Sequence, residues 1–347
     1  MVLLTLPVVV AVVSLCAASP QSIHTVDFPD PSITFDPQTS HWLTFATHSN
    51  EKNVQTATSP TLHGKWSLLT DVDLLPVPGQ WVNPTPSYIW APDVHHIEYT
   101  NTHVLYYSGL HANSPHHCIG VATSPNITGP YSALDEPFAC PLADGGAIDA
   151  AGFYDESSHS RWVVYKIDGS SKGLGGPCGN GDPPGFDTPI MIQRVSHTDG
   201  ITPLGNPFPI LHRDPKLDGP LIEAPSLIMY GFGREAVYVL FFSSHCYNSP
   251  EYGIRYATAK NVLGPYTRQS QLMGAAPVTE ERNLTSPGGA TSISGGRWSF
   301  MRAVRLDGAC TRQTLRLWMG QSSCFCGIHG YDFVCGWGRG LRRNDWT

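Results

Sequence analysis

The same short order of segments recurs along this chain, and a repeat of this kind limits the fold more than any local propensity does. One unit opens at Asp30-Pro-Ser-Ile-Thr-Phe, continues with Trp42-Leu-Thr-Phe-Ala-Thr, and closes with Val54-Gln-Thr-Ala-Thr-Ser-Pro and Gly64-Lys-Trp66. The next opens at Ala91-Pro-Asp93-Val-His-His-Ile, runs through Val104-Leu-Tyr-Tyr-Ser-Gly, and closes with Ile119-Gly-Val-Ala-Thr-Ser-Pro125 and Gly129-Pro-Tyr131. A third opens at Ile148-Asp149-Ala-Ala-Gly-Phe-Tyr and passes through Trp162-Val-Val-Tyr-Lys. The fourth opens at Ile222-Glu223-Ala-Pro-Ser-Leu-Ile and ends with Gly264-Pro-Tyr266, and a fifth opening stands at Pro287-Gly-Gly-Ala-Thr-Ser-Ile.

Within each unit, short β-branched and aromatic runs are separated by Gly, Pro, Asn or Ser, the pattern of strands joined by turns. The 34 Gly and 30 Pro supply those reversals, and only 14% of residues are charged. Units of about four strands arranged radially make the blades of a propeller. A β-sandwich also repeats hairpins, but it does not call for an acid or a Pro-Ser pair at the start of every unit. The expectation is therefore an all-β fold, a five-bladed β-propeller with a central substrate channel. It would form one domain over residues 20–347, with 301–347 atypical because the alternating patterns fade there. That tail is expected to be a disulfide-bonded closure of the last blade, or a chain end that leaves the blade incomplete.

The apolar run Val2 to Val13, followed by small residues up to Ser19, has the form of a secretory signal covering residues 1–19. It is shorter than the ~18 to 20 apolar residues that cross a bilayer, so no membrane association is expected after cleavage. The expected location is extracellular, where the Asn126-Ile-Thr and Asn283-Leu-Thr triplets can be glycosylated. With Cys16 lost alongside the signal, the remaining cysteines enter an oxidising compartment where pairing is the default, in a connectivity the sequence leaves open. Cys310, Cys324, Cys326, Cys335 and His329 match no standard zinc spacing. A net charge of −7 provides no field for phosphate neutralisation, which argues against a nucleic-acid partner. No cofactor or metal is expected, and the chain is read as a monomer.

Because the first strand of each propeller blade lines the channel, Asp30, Asp93, Asp149 and Glu223 should converge although they are far apart in sequence. Any one of them alone reads as a turn residue. Four in register read as carboxylates facing one cavity, the equipment for hydrolysing a glycosidic bond. Trp90, Phe28 and His111 are the candidates for stacking on, or hydrogen bonding to, a sugar, with packing between blades as the alternative. The Gly-rich stretch 169–187 lacks the Gly-Lys-Ser/Thr ending of a phosphate loop and is expected at the channel rim. Zinc-protease, nucleophile-elbow and dinucleotide motifs are absent from the sequence. In the doublets His95-His96 and His116-His117, strand alternation leaves one inward imidazole at most.

Phe28-Pro-Asp-Pro-Ser-Ile33, Trp90-Ala-Pro-Asp-Val94, Ile148-Asp149-Ala and Ile222-Glu-Ala-Pro-Ser226 resemble the blade-opening motifs of glycoside hydrolase family 43. The resemblance covers roughly residues 24 to 300 and lies in the order of the four motifs. It implies a five-bladed propeller acting with inversion on arabinan, arabinoxylan or xylo-oligosaccharides. By the same resemblance Asp30 would be the general base, Asp149 the aspartate that tunes the acid, Glu223 the general acid, and Asp93 a group that orients substrate. Inversion needs the base and acid carboxyls about 6.5 to 9.5 Å apart, with room for water. The fifth opening, Ser286 to Ser292, lacks the histidine that family members with a channel metal often carry there. A non-catalytic carbohydrate-binding propeller is the competing expectation, because the fold alone does not choose between the two. A sucrose- or fructan-cleaving propeller would need a Trp-x-Asn-Asp-Pro opening, which this chain lacks.

Overall fold

The structure is a computed structural model that describes residues 21–22, 27–62, 64–181, 185–231, 233, 236–269, 288–292, 299–305, 313–319, 324–329 and 332–337. The signal segment, Asn283 and Cys310 lie outside the described residues. The chain is all-β, with three short 3-10 turns as its only helices among those residues, and none of its helices is long and apolar enough to cross a membrane.

Four units form complete four-stranded antiparallel blades. The first has strands Ser32–Asp36, His41–Ala46, Gln55–Ser59 and Ser67–Leu68. The second has Trp90–Ile97, Thr102–Leu110, His117–Ser124 and Ser132–Ala133. The third consists of Ala147–Asp155, Ser160–Ile167, Ile190–Val195 and Phe208–Leu211. The fourth consists of Ile222–Tyr230, Val237–Ser244, Gly253–Ala259 and Thr267–Arg268.

Where the sequence reads five blades, the described residues thus complete four from consecutive strands. The fifth unit enters differently, because its opening strand, Ala290–Ser292, is short. It pairs with Ser299–Arg305, which pairs with Gln313–Met319, whose outer edge pairs with Gln21–Ser22 from the other end of the chain. The tail expected to lose its strand pattern therefore carries backbone strands, and Cys324–His329 and Asp332–Trp337 form a separate hairpin. Inner strands of successive blades pack against one another, and Ala290–Ser292 touches both Ile222–Tyr230 and Ser32–Asp36.

The repeat extends to single hydrogen bonds. Trp66 Nε1, Tyr131 Oη and Tyr266 Oη each donate to the carbonyl four residues upstream, at Leu62, Ile127 and Val262. An aromatic body packed against a core thus finds a partner for its polar tip, which the apolar surroundings would otherwise leave unpaired. The cores lie between neighbouring sheets: Leu43, Phe45, Leu105 and Tyr107 join blades one and two, while Val164, Ile192, Leu227 and Leu240 join three and four. Burying such side chains contributes about 1.5–3 kcal/mol each. Disulfides connect Cys118 to Cys140 and Cys178 to Cys246.

Candidate active site

A regular strand alternates its side chains between two faces, so a channel-lining acid at the head of a blade needs a break in that alternation. Each opening has one. Asp30, Ala91, Asp149 and Ala224 adopt positive φ values of 49°, 42°, 60° and 50°, and Gly289 stands at 63°. The ladders shift register between Trp90 and Asp93, Ile148 and Ala151, and Glu223 and Ser226. Such conformations cost a non-glycine residue about 1–3 kcal/mol and persist where the surroundings over-determine them.

Here the surroundings are hydroxyl groups on the second strand of the preceding blade or just beyond it. Thr47 Oγ1 accepts from the Ala91 amide at 2.9 Å and donates to Asp30 Oδ2 at 2.8 Å. Ser108 Oγ accepts from the Asp149 amide at 3.1 Å, and Ser243 Oγ from the Gly289 amide at 2.9 Å. At the junction of blades three and four the pattern changes: the Ala224 amide donates to Asp149 Oδ2 at 2.9 Å.

The openings surround a cavity of about 530 Å³, lined by Asp30, Asp149, Glu223, Asp93, Trp90 and Lys166 among others. This size suits a small ligand. The three acids assigned to the chemistry lie in it together. Asp30 and Asp149 keep some surface toward the channel but are otherwise enclosed by protein. Burial pushes the Asp30 carboxyl up to about 6 against the Thr47 hydrogen bond, with Glu223 and Asp27 adding to the rise. Burial and the Glu223 charge push Asp149 up to about 8, with Lys166 opposing and Asp30 reinforcing. Lys166, with only 1% of its side chain exposed, places Nζ 2.9 Å from Asp168 Oδ1 and 3.1 Å from Glu223 Oε2. Burial disfavours its charge, but Asp168, Glu223 and Asp149 outweigh that and hold it protonated.

Asp93 lines the cavity, yet one carboxylate oxygen is already engaged by His95 Nε2 at 2.6 Å and the Gly152 amide at 2.8 Å. Trp90 lines it too, with its ring stacked on buried His117 at 3.6 Å. Two expectations need correction. Phe28 is fully buried and packs with Ala46, Ala57 and Trp66, so it presents no face to a sugar. His111 follows the end of a second strand, bridges to Val82 and lies beside Trp81, outside the cavity lining.

Sequence reasoning missed Lys166, Asp168, Thr47 and Tyr252. The signal for Lys166 was present, since a lone cation ending Trp162-Val-Val-Tyr is rarely buried unless paired. Thr47, Asp168 and Tyr252 carried no such mark. Tyr252 is buried beside the acids, and burial with the Glu223, Asp30 and Asp149 charges raises its hydroxyl well above the ordinary value. The Gly-rich stretch lies at the rim, where Ser170, Ser171 and Cys178 line the cavity. Among the described residues no group of three or more His, Cys, Asp or Glu side chains is placed to hold a metal ion.

A propeller whose channel gathers enclosed carboxyl groups from three different blades is built as a glycoside-cleaving hydrolase is built. The chain belongs to the glycosyl hydrolases family 43, whose profile matches residues 20–315. Solved structures agree on the fold. A thermostable family-43 glycoside hydrolase is 19% identical, with 94% of this chain and 98% of that one covered at a TM-score of 0.68. An endo-1,4-beta-xylanase from Bacteroides thetaiotaomicron is 18% identical, with 92% and 97% covered and a TM-score of 0.65. Arabinanase Arb43A from Bacillus subtilis is 18% identical, covering 85% and 94% with a TM-score of 0.58. No curated protein was found to match.

Proposed function

We propose that the protein is a secreted, inverting glycosidase of arabinose- or xylose-containing plant cell-wall polysaccharides or their oligosaccharides. The observation that carries this reading is the meeting of Asp30, Asp149 and Glu223 in one cavity, two of them with carboxyls raised toward neutral pH. In it, Asp30 takes a proton from water as that water attacks the anomeric carbon. Glu223 gives a proton to the departing glycosidic oxygen, and Asp149 holds that acid's proton supply. Trp90 and Asp93 border the sugar from blade two. The pairing of Gln21–Ser22 with Gln313–Met319 supports a fifth, closing blade made from both chain ends, in keeping with a single propeller domain after a signal at 1–19.

Turnover requires Asp30 ionised and one proton retained by Asp149 and Glu223 together. The pH profile of kcat/KM is therefore a bell rising near 6 and falling near 8. The test is incubation of the secreted chain and Glu223→Ala with arabinan, arabinoxylan, xylo-oligosaccharides and, as a hexose arm, β-1,3-galactan. Released sugar and its first-formed anomer are followed by NMR. Inverted arabinose or xylose products, lost in the variant, support the reading. Retained configuration, or release undiminished by Glu223→Ala, refutes it.

A further inference from the structure

The second strands of blades two, three and four place Ser108, Lys166 and Ser243 at one structural position, opposite Trp90, Ile148 and Glu223 respectively. Ser108 and Ser243 use that position to accept the amide of the next blade's positive-φ residue, as Thr47 does in blade one. A lysine ammonium has three donors and no acceptor, so it cannot do the same. The Ala224 amide, deprived of a hydroxyl, goes instead to Asp149 Oδ2. Blade three has therefore exchanged the bond that fastens its neighbour for a buried positive charge, and Asp149 has taken over the fastening. A charge in that place is costly unless fully paired. It is paired: Lys166 Nζ reaches Asp168 Oδ1, Glu223 Oε2 and, at 3.2 Å, Ser170 Oγ, which itself donates to Asp168 at 2.5 Å.

We propose that Lys166 is a positioning residue that fixes Glu223 and decides which carboxyl, Asp149 or Glu223, carries their proton while the pocket is empty. The assignment rests on the roles given above to those two acids. The ammonium contacts Glu223 Oε2 at 3.1 Å, while burial and the neighbouring Glu223 charge raise the Asp149 carboxyl against the pull of Lys166 and the Ala224 amide, so the resting proton is assigned to Asp149. The groups that bear on this balance are Asp30 from blade one, Tyr252 from blade four, Asp168 beside Lys166, His117 facing Asp168, and Asp27 facing Asp30. Ser170 and Asp168 also line the cavity, so the ammonium links Glu223 to the start of the Gly-rich rim segment.

The test is a carbon-detected NMR titration of the side-chain carboxyls in the full secreted chain, with signals assigned through Asp149→Asn and Glu223→Gln. In the wild type the Asp149 carboxyl titrates near 8. Lys166→Met, close in volume but uncharged, moves the last titration of the pair upward by a unit or more and transfers part of it from the Asp149 to the Glu223 carboxyl signal, and Lys166→Arg returns both toward the wild-type position. Asp168→Asn leaves the ammonium less neutralised and moves the titration downward. If Lys166→Met does not fold, the downward shift in Asp168→Asn decides the matter. A purely structural role predicts no such pair of opposite shifts, and titrations unmoved by either variant overturn the proposal. The alkaline limb of kcat/KM moves with the carboxyl. An active wild type with an immobile limb and titration defeats the role of Lys166 but not the glycosidase. A chain that releases no sugar, yet shows the opposite shifts, defeats the glycosidase and keeps Lys166.

Discussion

Replacing Thr47 by valine, which keeps the shape and removes the hydroxyl, tests the link between blade packing and catalysis. The hydroxyl donates to Asp30 Oδ2 at 2.8 Å, and its effect is to lower a carboxyl that burial has raised to about 6. A hydrogen bond to a charged group contributes about 1.5–3 kcal/mol, so its loss raises Asp30 by roughly one to two pH units. At pH 6 about half of the wild-type Asp30 is ionised, whereas the variant retains about 1–10%, a loss of roughly 5- to 50-fold in kcat/KM. Near pH 8 the wild-type Asp30 is almost fully ionised and the variant's is at least about half ionised, so the rates differ by about twofold or less. The same substitution strips the Ala91 amide of its acceptor, which costs about 1–3 kcal/mol of stability at every pH. Thr47→Ser restores both bonds. The assay is kcat/KM from pH 4 to 9, beside a thermal melt. A folded Thr47→Val losing the same factor at pH 6 and pH 8 would refute the assignment of Asp30 as the group whose ionisation limits the acid limb.

Asp30→Asn is expected to be inactive and more stable at pH 7. Its folded carboxyl sits near 6, above the ordinary 3.8, so the native state loses stability as pH rises from about 4 through 6, by at most about 3 kcal/mol; melts at pH 3.5 should show no such gap between the two proteins. Gly289→Ala places a Cβ 3.0 Å from Asp30 Oδ1 at a φ of 63°, and the displaced carboxylate should lower kcat/KM at least about tenfold; an unchanged rate contradicts the packing of that opening on Asp30. Cys178 and Cys246 are 68 residues apart, and opening that loop costs about 4 kcal/mol on the chain-entropy account. Because Cys178 lines the cavity, the double serine variant should melt earlier and raise KM more than it lowers kcat.

The repeat was legible because each unit restates its opening, and the acids were legible because they stand there. Asp30, Asp149, Glu223, Asp93 and Trp90 all reach one cavity. Phe28 was misassigned for a definite reason. An aromatic at a blade start can face a sugar or pack in the core, and the sequence left both open for Phe28. Asp30 at a φ of 49° turns the chain, so the carboxyl enters the channel while the ring joins Trp66 in the core. No rule of alternation predicts a left-handed residue that is not glycine. His111 failed differently, since it sits past a second strand, where the repeat says nothing about the channel. The Cys178–Cys246 disulfide was illegible because its two cysteines meet only once two blades are in place.

The unusual backbone and the unusual titration have one origin. Each acid turned into the channel has a positive-φ residue at its own position or within two residues of it, and in blades two to five the amide of that positive-φ residue points at the preceding blade, where it needs an acceptor in a buried place. A hydroxyl meets the need at blade one and can also donate to the acid of its own blade, as Thr47 does to Asp30. At the junction of blades three and four the acceptor is itself an acid, Asp149, and the vacated hydroxyl position holds a cation. A carboxylate enclosed with a second carboxylate is intolerable unless one carries a proton or a cation lies between them. Blade three supplies the cation, 3.1 Å from Glu223, so where Lys166 stands in place of a hydroxyl the fastening of the next blade passes to Asp149, the same acid whose titration the cation opposes.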